Sequence, residues 1–194
     1  MTRLLFGSMF LALVIAGCRT MHRVDPGSAE RPGDGKSVVV FMRATRAMIG
    51  GRWSSSVFDL KEDEKLIGIL SNGEKVAYVT EPGEHLFMVI SENADFLGAT
   101  LLPGRTYYAL VVARMGLLKS RFSLEPVRAA QLNSKAFEDW RDSTHSMETT
   151  AKSYTWADEN RDSIREKRAA YLPKWMGKPQ TERDEQTLRP EDGR

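Results

Sequence analysis

The sequence has little cysteine, little histidine and almost no net charge. Cys18 is the single cysteine among 194 residues, so no disulfide framework within the chain can hold the fold together. His22, His85 and His145 have no metal-ligand neighbour at helical or hairpin spacing, so no metal site or cofactor is expected. Lysine and arginine total 28 against 26 aspartate and glutamate, and this balance argues against a nucleic-acid partner.

Sequence motifs of catalysis are also missing. Ser54-Ser55-Ser56 lacks the glycines of a nucleophile elbow, and no glycine-rich loop follows a strand and opens a helix. Asp139 and Asp142 lie three residues apart among arginine and lysine, which is typical of a solvated helix face rather than of an acid pair. We therefore predict a protein that is not an enzyme.

The N-terminal apolar run is too short to span a membrane. It extends over fourteen residues, Leu4 to Gly17, behind Arg3, whereas a spanning helix needs about 20. A charged start, a short apolar run and small residues at its end are typical of a secretory signal peptide. Ile15-Ala16-Gly17-Cys18 resembles a bacterial lipobox, whose cysteine is lipidated and becomes the first residue. The resemblance predicts a signal peptide over 1–17 and a lipid on Cys18, with an ordinary signal peptide as the alternative.

A lipid on Cys18 would anchor the mature chain to the cell envelope. Arg19 stands where aspartate is the inner-membrane retention signal of enteric-type sorting, so we expect the outer membrane, with the protein facing the periplasm. Residues 18–36 are rich in turn formers and have no apolar period. This composition predicts a flexible tether, with His22 in solvent.

The segment 37–128 is predicted to be mainly β-strand. Apolar and β-branched runs of five to eight residues are separated by turn signals every eight to twelve residues. Asn72-Gly73, Pro82-Gly83 and Pro103-Gly104 supply three of these turns. Since no helix-sized segment separates the runs, we do not expect a parallel sheet. The prediction is an antiparallel β-sandwich, transthyretin-like or immunoglobulin-like.

Three turn motifs in this segment resemble one family. They are Leu70-Ser71-Asn72-Gly73, Glu81-Pro82-Gly83-Glu84-His85 and Leu102-Pro103-Gly104-Arg105-Thr106-Tyr107-Tyr108. In this order they are similar to an uncharacterised family of prokaryotic lipoproteins with a PEGA-type Pro-Gly-Glu-His turn, over about residues 37–114. Arg43 and Ile49-Gly50-Gly51 are similar too, whereas relatives have a tight Asp-Gly turn in place of the charged tip Lys61–Lys65. The resemblance implies a β-sandwich and an envelope location, and it brings no catalytic residue.

After Pro126 the periodicity is helical. Asn133 or Ser134 can cap a helix. Apolar residues then recur three or four apart on one face, and they are Phe137, Trp140, Thr144, Met147, Ala151 and Tyr154. Serine and threonine are frequent between 143 and 155, which leaves open whether 134–172 is one helix or two. We expect a helical extension over 129–176 and a disordered polar tail over 177–194.

Six aromatic residues are candidates for binding, and they are Trp53, Tyr107, Tyr108, Trp156, Tyr171 and Trp175. The first three could stack on a sugar. Because Tyr107 and Tyr108 are adjacent in a strand and point to opposite faces, only one of them should be exposed. The last three lie beyond the expected reach of the sandwich and have the character of interface anchors.

Two functions are compatible with these features. The first is an interaction or scaffold module of the envelope, which binds a partner protein or a second copy through its C-terminal helix. The alternative is a ligand-binding lipoprotein that recognises glycan or peptide through an aromatic sheet face. Residues beyond about 155 are predicted to be dispensable for folding but needed for partner binding.

Overall fold

The computed structural model describes residues 20–25, 30–44, 53–115 and 120–194. The predictions for residues 1–17, for Cys18 and for Ile49-Gly50-Gly51 lie outside the described residues. The strands in them are β1 Met21–Arg23, β2 Ser37–Arg43, β3 Ser55–Asp59, β4 Lys65–Leu70, β5 Glu74–Thr80, β6 Gly83–Ile90, β7 Ala94–Leu101, β8 Thr106–Met115, β9 Ser120–Pro126, β10 His145–Thr149 and β11 Thr187–Leu188. The helices are α1 Lys135–Asp142, α2 Ala151–Glu159, α3 Arg161–Met176 and α4 Gln180–Glu185.

The strands form two open sheets, and the chain is mainly β, with 42% strand and 29% helix. The order in the six-stranded sheet is β1-β10-β5-β2-β8-β9, and in the five-stranded sheet it is β11-β7-β6-β3-β4. Residues from both sheets bury their side chains in one core. Within it, the Phe41 ring of β2 meets the Phe87 ring of β6 edge to face, with 5.1 Å between their centres. The apolar runs of the sequence therefore form strands because each buries a face between the two layers.

The sheets are mixed, so the prediction of a purely antiparallel arrangement is wrong. β2 pairs with β8 in parallel, from Val38 opposite Thr106 to Met42 opposite Leu110. Parallel pairs also join β10 to β5 and β11 to β7. Two parallel neighbouring strands need a long connection, and this connection does not have to be a helix. For β2 and β8, the strands β3 to β7 provide that connection.

Both tyrosines of the predicted sheet face are buried, in contrast to the expectation that one would be exposed. Tyr107 is 0% exposed in the core between the sheets, and Tyr108 is 2% exposed on the opposite face. α1 covers that outer face, where the Phe137 ring meets the Tyr108 ring edge to face at 4.8 Å. A sheet covered on both sides leaves neither residue available to a ligand.

The helical prediction after Pro126 is correct at its start and fails in its middle. Ser134 caps α1, and its Oγ accepts a hydrogen bond from the Phe137 amide at 3.2 Å. The chain then forms β10, so Met147 is buried from a strand rather than from a helix face. β10 lies between β1 and β5, and the pairing of its backbone with two strands overrides the local helical period.

Part of the predicted tether is a strand. β1 pairs antiparallel with β10, and Met21 is buried with its Sδ accepting a hydrogen bond from the Ile69 amide at 3.4 Å. His22 points to solvent, as expected, within 3.6 Å of Glu148. The composition of residues 18–36 did not predict β1, because Met21 is the only buried side chain of that strand.

The predicted disordered tail is folded against the sheets. β11 adds to β7, and Leu188 is completely buried. Arg128 forms an ion pair with the buried Asp192 at 2.9 Å, and Arg194 donates to the Tyr108 hydroxyl at 2.8 Å. The tail is polar in composition, but strand pairing and these long-range bonds anchor it.

Helix α3 packs on the five-stranded sheet. It buries Ile164 and Trp175, and the Trp175 ring lies 6.1 Å from the Phe96 ring of β7. Two of its arginines, Arg165 and Arg168, hold the Glu64 carboxylate of the β3–β4 turn at 3.3 and 2.9 Å. None of the described helices has the length and apolar character that crossing a membrane requires.

Candidate binding cleft

The structure brings together two of the six candidate aromatic residues. Trp53 is 53% exposed, and Trp156 is partly buried against the core. Both line one cleft between the five-stranded sheet and helices α2 and α3. Trp175 belongs to the core, and Tyr171 lies partly buried beneath the ammonium group of Lys174 at 4.5 Å. The prediction that the C-terminal aromatics lie beyond the reach of the sheets is therefore wrong: Trp175 is part of the core, and Trp156 and Tyr171 pack against it.

The cleft has the size and the mixed lining of a small-molecule site. Its volume is about 620 Å³, within the roughly 300–1,000 Å³ usual for ligand pockets. The apolar lining consists of the two tryptophans with Ile69, Ile90 and Ile164. The polar lining includes hydroxyl, amide and charged groups, namely Thr20, Ser54, Ser56, Ser91, Glu92, Asn160, Ser163 and Lys167.

Trp53 is positioned by the backbone just before β3. Its carbonyl oxygen accepts a hydrogen bond from Arg43, whose Nη1 also donates to the Leu70 carbonyl at 2.8 Å. The Arg43 guanidinium lies 4.5 Å from the centre of the Phe122 ring. Burial lowers the pKa of Arg43 to about 10, so the group stays charged at neutral pH. The tryptophan side chain is thus exposed on an anchored backbone.

Trp156 is positioned by the folding of α2. The helix begins after Thr150, whose amide donates to the Ser153 Oγ at 3.1 Å. Ser153 is buried and donates in turn to the Thr20 carbonyl. At the other end of α2 the Trp156 carbonyl accepts the side-chain amide of Asn160 at 2.8 Å. This bond fixes the orientation of the Asn160 side chain in the lining of the cleft.

A second cavity of about 410 Å³ adjoins the first. It is lined by Thr20, Met21, Ser54, Ile69, Ser71, Glu74 and Met147. Three of these residues, Thr20, Ser54 and Ile69, also line the tryptophan cleft. The shared residues make the two cavities neighbours, and we call the pair the Trp53–Trp156 groove. Thr20, near its middle, is two residues beyond Cys18.

A buried polar cluster connects the two sheets and does not line the groove. His85 Nδ1 is 2.8 Å from Asp59 Oδ2, and both side chains are fully buried. His85 Nε2 is 2.9 Å from the Glu81 carbonyl oxygen, and the Tyr78 hydroxyl donates to Asp59 at 3.2 Å. Although burial opposes ionisation of Asp59, its bonds to His85 and to the Lys61 amide hold its pKa below the usual value. Burial raises the pKa of Tyr78.

Sequence reasoning missed Asp59 and treated His85 as a turn residue. The signal was an acidic residue at the end of the apolar run Val57-Phe58, since a carboxylate buried in a strand needs a partner. Both ring nitrogens of His85 have protein partners, so the cluster holds β3, β5 and β6 together rather than facing a ligand. In the described part of the chain, no group of three or more His, Cys, Asp and Glu side chains is arranged as metal ligands.

Comparison with protein-family models and with curated protein sequences gives no match. The PEGA-type resemblance therefore stays a prediction, and the interpretation of the groove depends on its own geometry.

Proposed function

We propose that this protein is a lipid-anchored binding protein of the cell envelope, with the Trp53–Trp156 groove as its ligand site. The observation that carries the proposal is that an exposed and a half-buried tryptophan line one cleft of ligand size. Tryptophan offers a large rigid apolar face together with an N–H donor, and it is one of the residues enriched at binding hot spots. The proposal keeps the ligand-binding alternative of the sequence analysis, but it places the site in the groove instead of on a sheet face.

The proposed role is binding without catalysis. A general acid or base must reach its substrate within about one hydrogen bond or through one water. His85 is buried, with Asp59 and Glu81 at its two ring nitrogens, so it has no ring nitrogen to offer a ligand. The groove itself supplies hydroxyl, amide and indole groups, which recognise a ligand by hydrogen bonding and stacking.

The scaffold or interaction module is the second candidate. Its support is an apolar patch at the end of α3, formed by Ala169, Leu172, Pro173 and the 55% exposed Met176. Arg165 and Arg168 border this patch. An envelope protein or a second copy of the chain is the proposed partner there. The burial of Trp175 removes one of the anchors first assigned to this role.

We propose also that β2 to β9 form a β-sandwich of the transthyretin-like kind. The order β5-β2-β8-β9 in one layer and β7-β6-β3-β4 in the other supports this interpretation. It divides eight strands four and four, whereas the constant-type immunoglobulin domain divides seven strands four and three. Strands β1, β10 and β11 then extend the edges of the two layers.

The lipid anchor is tested at Cys18. In Cys18→Ala the acceptor thiol is absent, so the protein should leave the outer-membrane fraction or accumulate as a precursor. A clickable fatty acid should label the wild type and leave the variant unlabelled. The serine variant Ser8→Ala, within the apolar run, is the matched control and should be labelled normally. Labelling of Cys18→Ala would contradict the anchor.

The ligand site is tested with protein purified from native membranes. Native mass spectrometry of the wild type should show a bound small molecule, and Trp53→Ala and Trp156→Leu should each reduce its occupancy by about tenfold or more, as expected for an aromatic anchor. Trp140→Phe is the control, because Trp140 lies on α1 and packs against the six-stranded sheet rather than in the groove. Equal spectra for the wild type and both groove variants would contradict the proposal and favour the α3 patch.

A further inference from the structure

We infer that the Trp53–Trp156 groove takes a neutral oligosaccharide of more than one sugar ring. The inference rests on the proposed ligand-binding function and adds the chemical class of the ligand. Its basis is the combination of two tryptophans, hydroxyl and amide groups, and two neighbouring cavities.

The shape of the groove favours a chain over a single ring. The cavities of about 620 and 410 Å³ each have the size of a small-molecule pocket. Because Thr20, Ser54 and Ile69 line both, a ligand in one cavity contacts residues that also border the other. A chain of linked rings would occupy both cavities, whereas a monosaccharide would fill only one.

The lining matches the two chemical aspects of a sugar ring. The C–H faces of a sugar are apolar and stack on aromatic rings, which Trp53 and Trp156 supply in the larger cavity. Its hydroxyl groups both donate and accept, and they match groups of the same kind around the groove. Ser54, Asn160 and Ser163 provide these groups.

The charges of the groove favour a neutral ligand. Glu74 and Glu92 contribute two carboxylates, and Lys167 contributes one ammonium group. Lys167 donates to the Ser91 carbonyl at 2.7 Å, and Glu74 accepts the Ser71 amide at 2.6 Å. The Arg43 guanidinium also lies close enough to Glu74 for their charges to interact, so the two carboxylates are balanced by two cations. A charged ligand therefore gains no net attraction, and pairing an acidic ligand with Lys167 would disturb the bond between α3 and the end of β6.

The strand next to the groove does not favour a peptide. A peptide bound as an added strand needs free amides along a sheet edge. β4 is the edge of its sheet, but the Ile69 amide already donates to Met21 Sδ. Met21 Cε also lies 3.2 Å from the position that a Cβ on Gly68 would take. This part of the edge is therefore covered by the chain itself.

The inference is tested by calorimetric titration of the full mature chain in lipid nanodiscs. The probes are the linear tetramers of glucose, galactose, mannose and N-acetylglucosamine, each with its monosaccharide, and tetra-alanine as the peptide probe. At least one tetramer should bind, at least about tenfold tighter than its monosaccharide. Trp53→Ala and Trp156→Leu should weaken this binding by about tenfold or more, and Trp140→Phe should leave it unchanged.

The outcomes separate the inference from the proposed function. If no tetramer binds, the oligosaccharide class is overturned. The proposed function still stands if tetra-alanine binds or if the native ligand occupancy depends on both tryptophans. A tetramer that binds equally well to all variants, or no better than its monosaccharide, also overturns the inference. If no tetramer binds, tetra-alanine does not bind and no native ligand depends on the tryptophans, the inference and the proposed function are overturned together.

Discussion

Asp59→Ala is expected to lower the free energy of unfolding by about 3–5 kcal/mol, because it leaves several hydrogen-bond donors without their acceptor, at about 1–3 kcal/mol for each buried donor. The variant leaves His85 completely buried without the carboxylate that lies 2.8 Å from its Nδ1. It also removes the acceptor of the Tyr78 hydroxyl and of the Lys61 amide. Urea unfolding of the mature chain, followed by far-UV circular dichroism, measures the loss.

Asp95→Asn is the matched control for this prediction. Asp95 is a partly buried strand carboxylate, which accepts the Leu124 amide at 3.1 Å, but burial raises its pKa whereas the pKa of Asp59 is lowered. The folded state therefore disfavours the charge of Asp95 and favours that of Asp59. Because asparagine keeps an acceptor oxygen and removes a disfavoured charge, we expect a change below about 1 kcal/mol.

The contributions of Asp59 and Asp95 to the free energy of unfolding are expected to change with pH in opposite directions. Asp59 has a lowered folded-state pKa, so its stabilisation is present above the unfolded value of about 3.9 and is lost as the pH falls through the folded value. Asp95 has a raised pKa, so acid relieves its penalty. Asp59→Ala should therefore lose less stability than the wild type below about pH 4. Equal slopes for the two proteins would contradict the assignment.

Glu81 does not disturb this comparison. Its hydrogen bond and ion pair with Lys36 lower its pKa, which gives stability in the same pH window, but the pair is exposed and is weakened by salt. It is present in both proteins and cancels in the difference between them. The acid-dependent difference that remains belongs to Asp59.

The strands could be predicted because their signals are local. Gly83 and Gly104 have φ of 110° and 71°, conformations that glycine adopts without strain, so each Pro-Gly turn is encoded in adjacent residues. The pairing of β2 with β8 depends instead on residues far apart in the chain, such as Val38 and Thr106. No periodicity within a strand reports on which strand lies beside it.

The groove and the tail could not be predicted for the same reason. Trp53 and Trp156 were both candidates, but they meet only because α2 packs against β4. The tail from 177 onward has a polar composition, and Leu188 alone gives little local signal for a strand. Its order depends on pairing with β7 and on the bond between Arg128 and Asp192, which single residues in sequence do not reveal.

A chain that ends at Tyr154 is expected to unfold, which reverses the prediction that residues beyond 155 are dispensable. The deletion removes three side chains buried in the core between and beside the sheets, Ile164, Trp175 and Leu188. Loss of each large apolar side chain from a core costs about 2–5 kcal/mol, and the three together reach the 5–15 kcal/mol that stabilises a typical domain. It also leaves Phe96 without the Trp175 ring and Arg128 without Asp192. Thermal unfolding should show no cooperative transition.

Two point variants distinguish core packing from partner binding in the deleted segment. Leu188→Ala removes a completely buried side chain and should lower the free energy of unfolding by about 2–5 kcal/mol. Met176→Ala changes a side chain that is 55% exposed, and its effect should stay within about 0.5 kcal/mol. A truncated chain that melts cooperatively at the wild-type temperature would contradict this prediction. It would mean that α3 and the tail add little to the core and would return them to the role of a partner-binding segment.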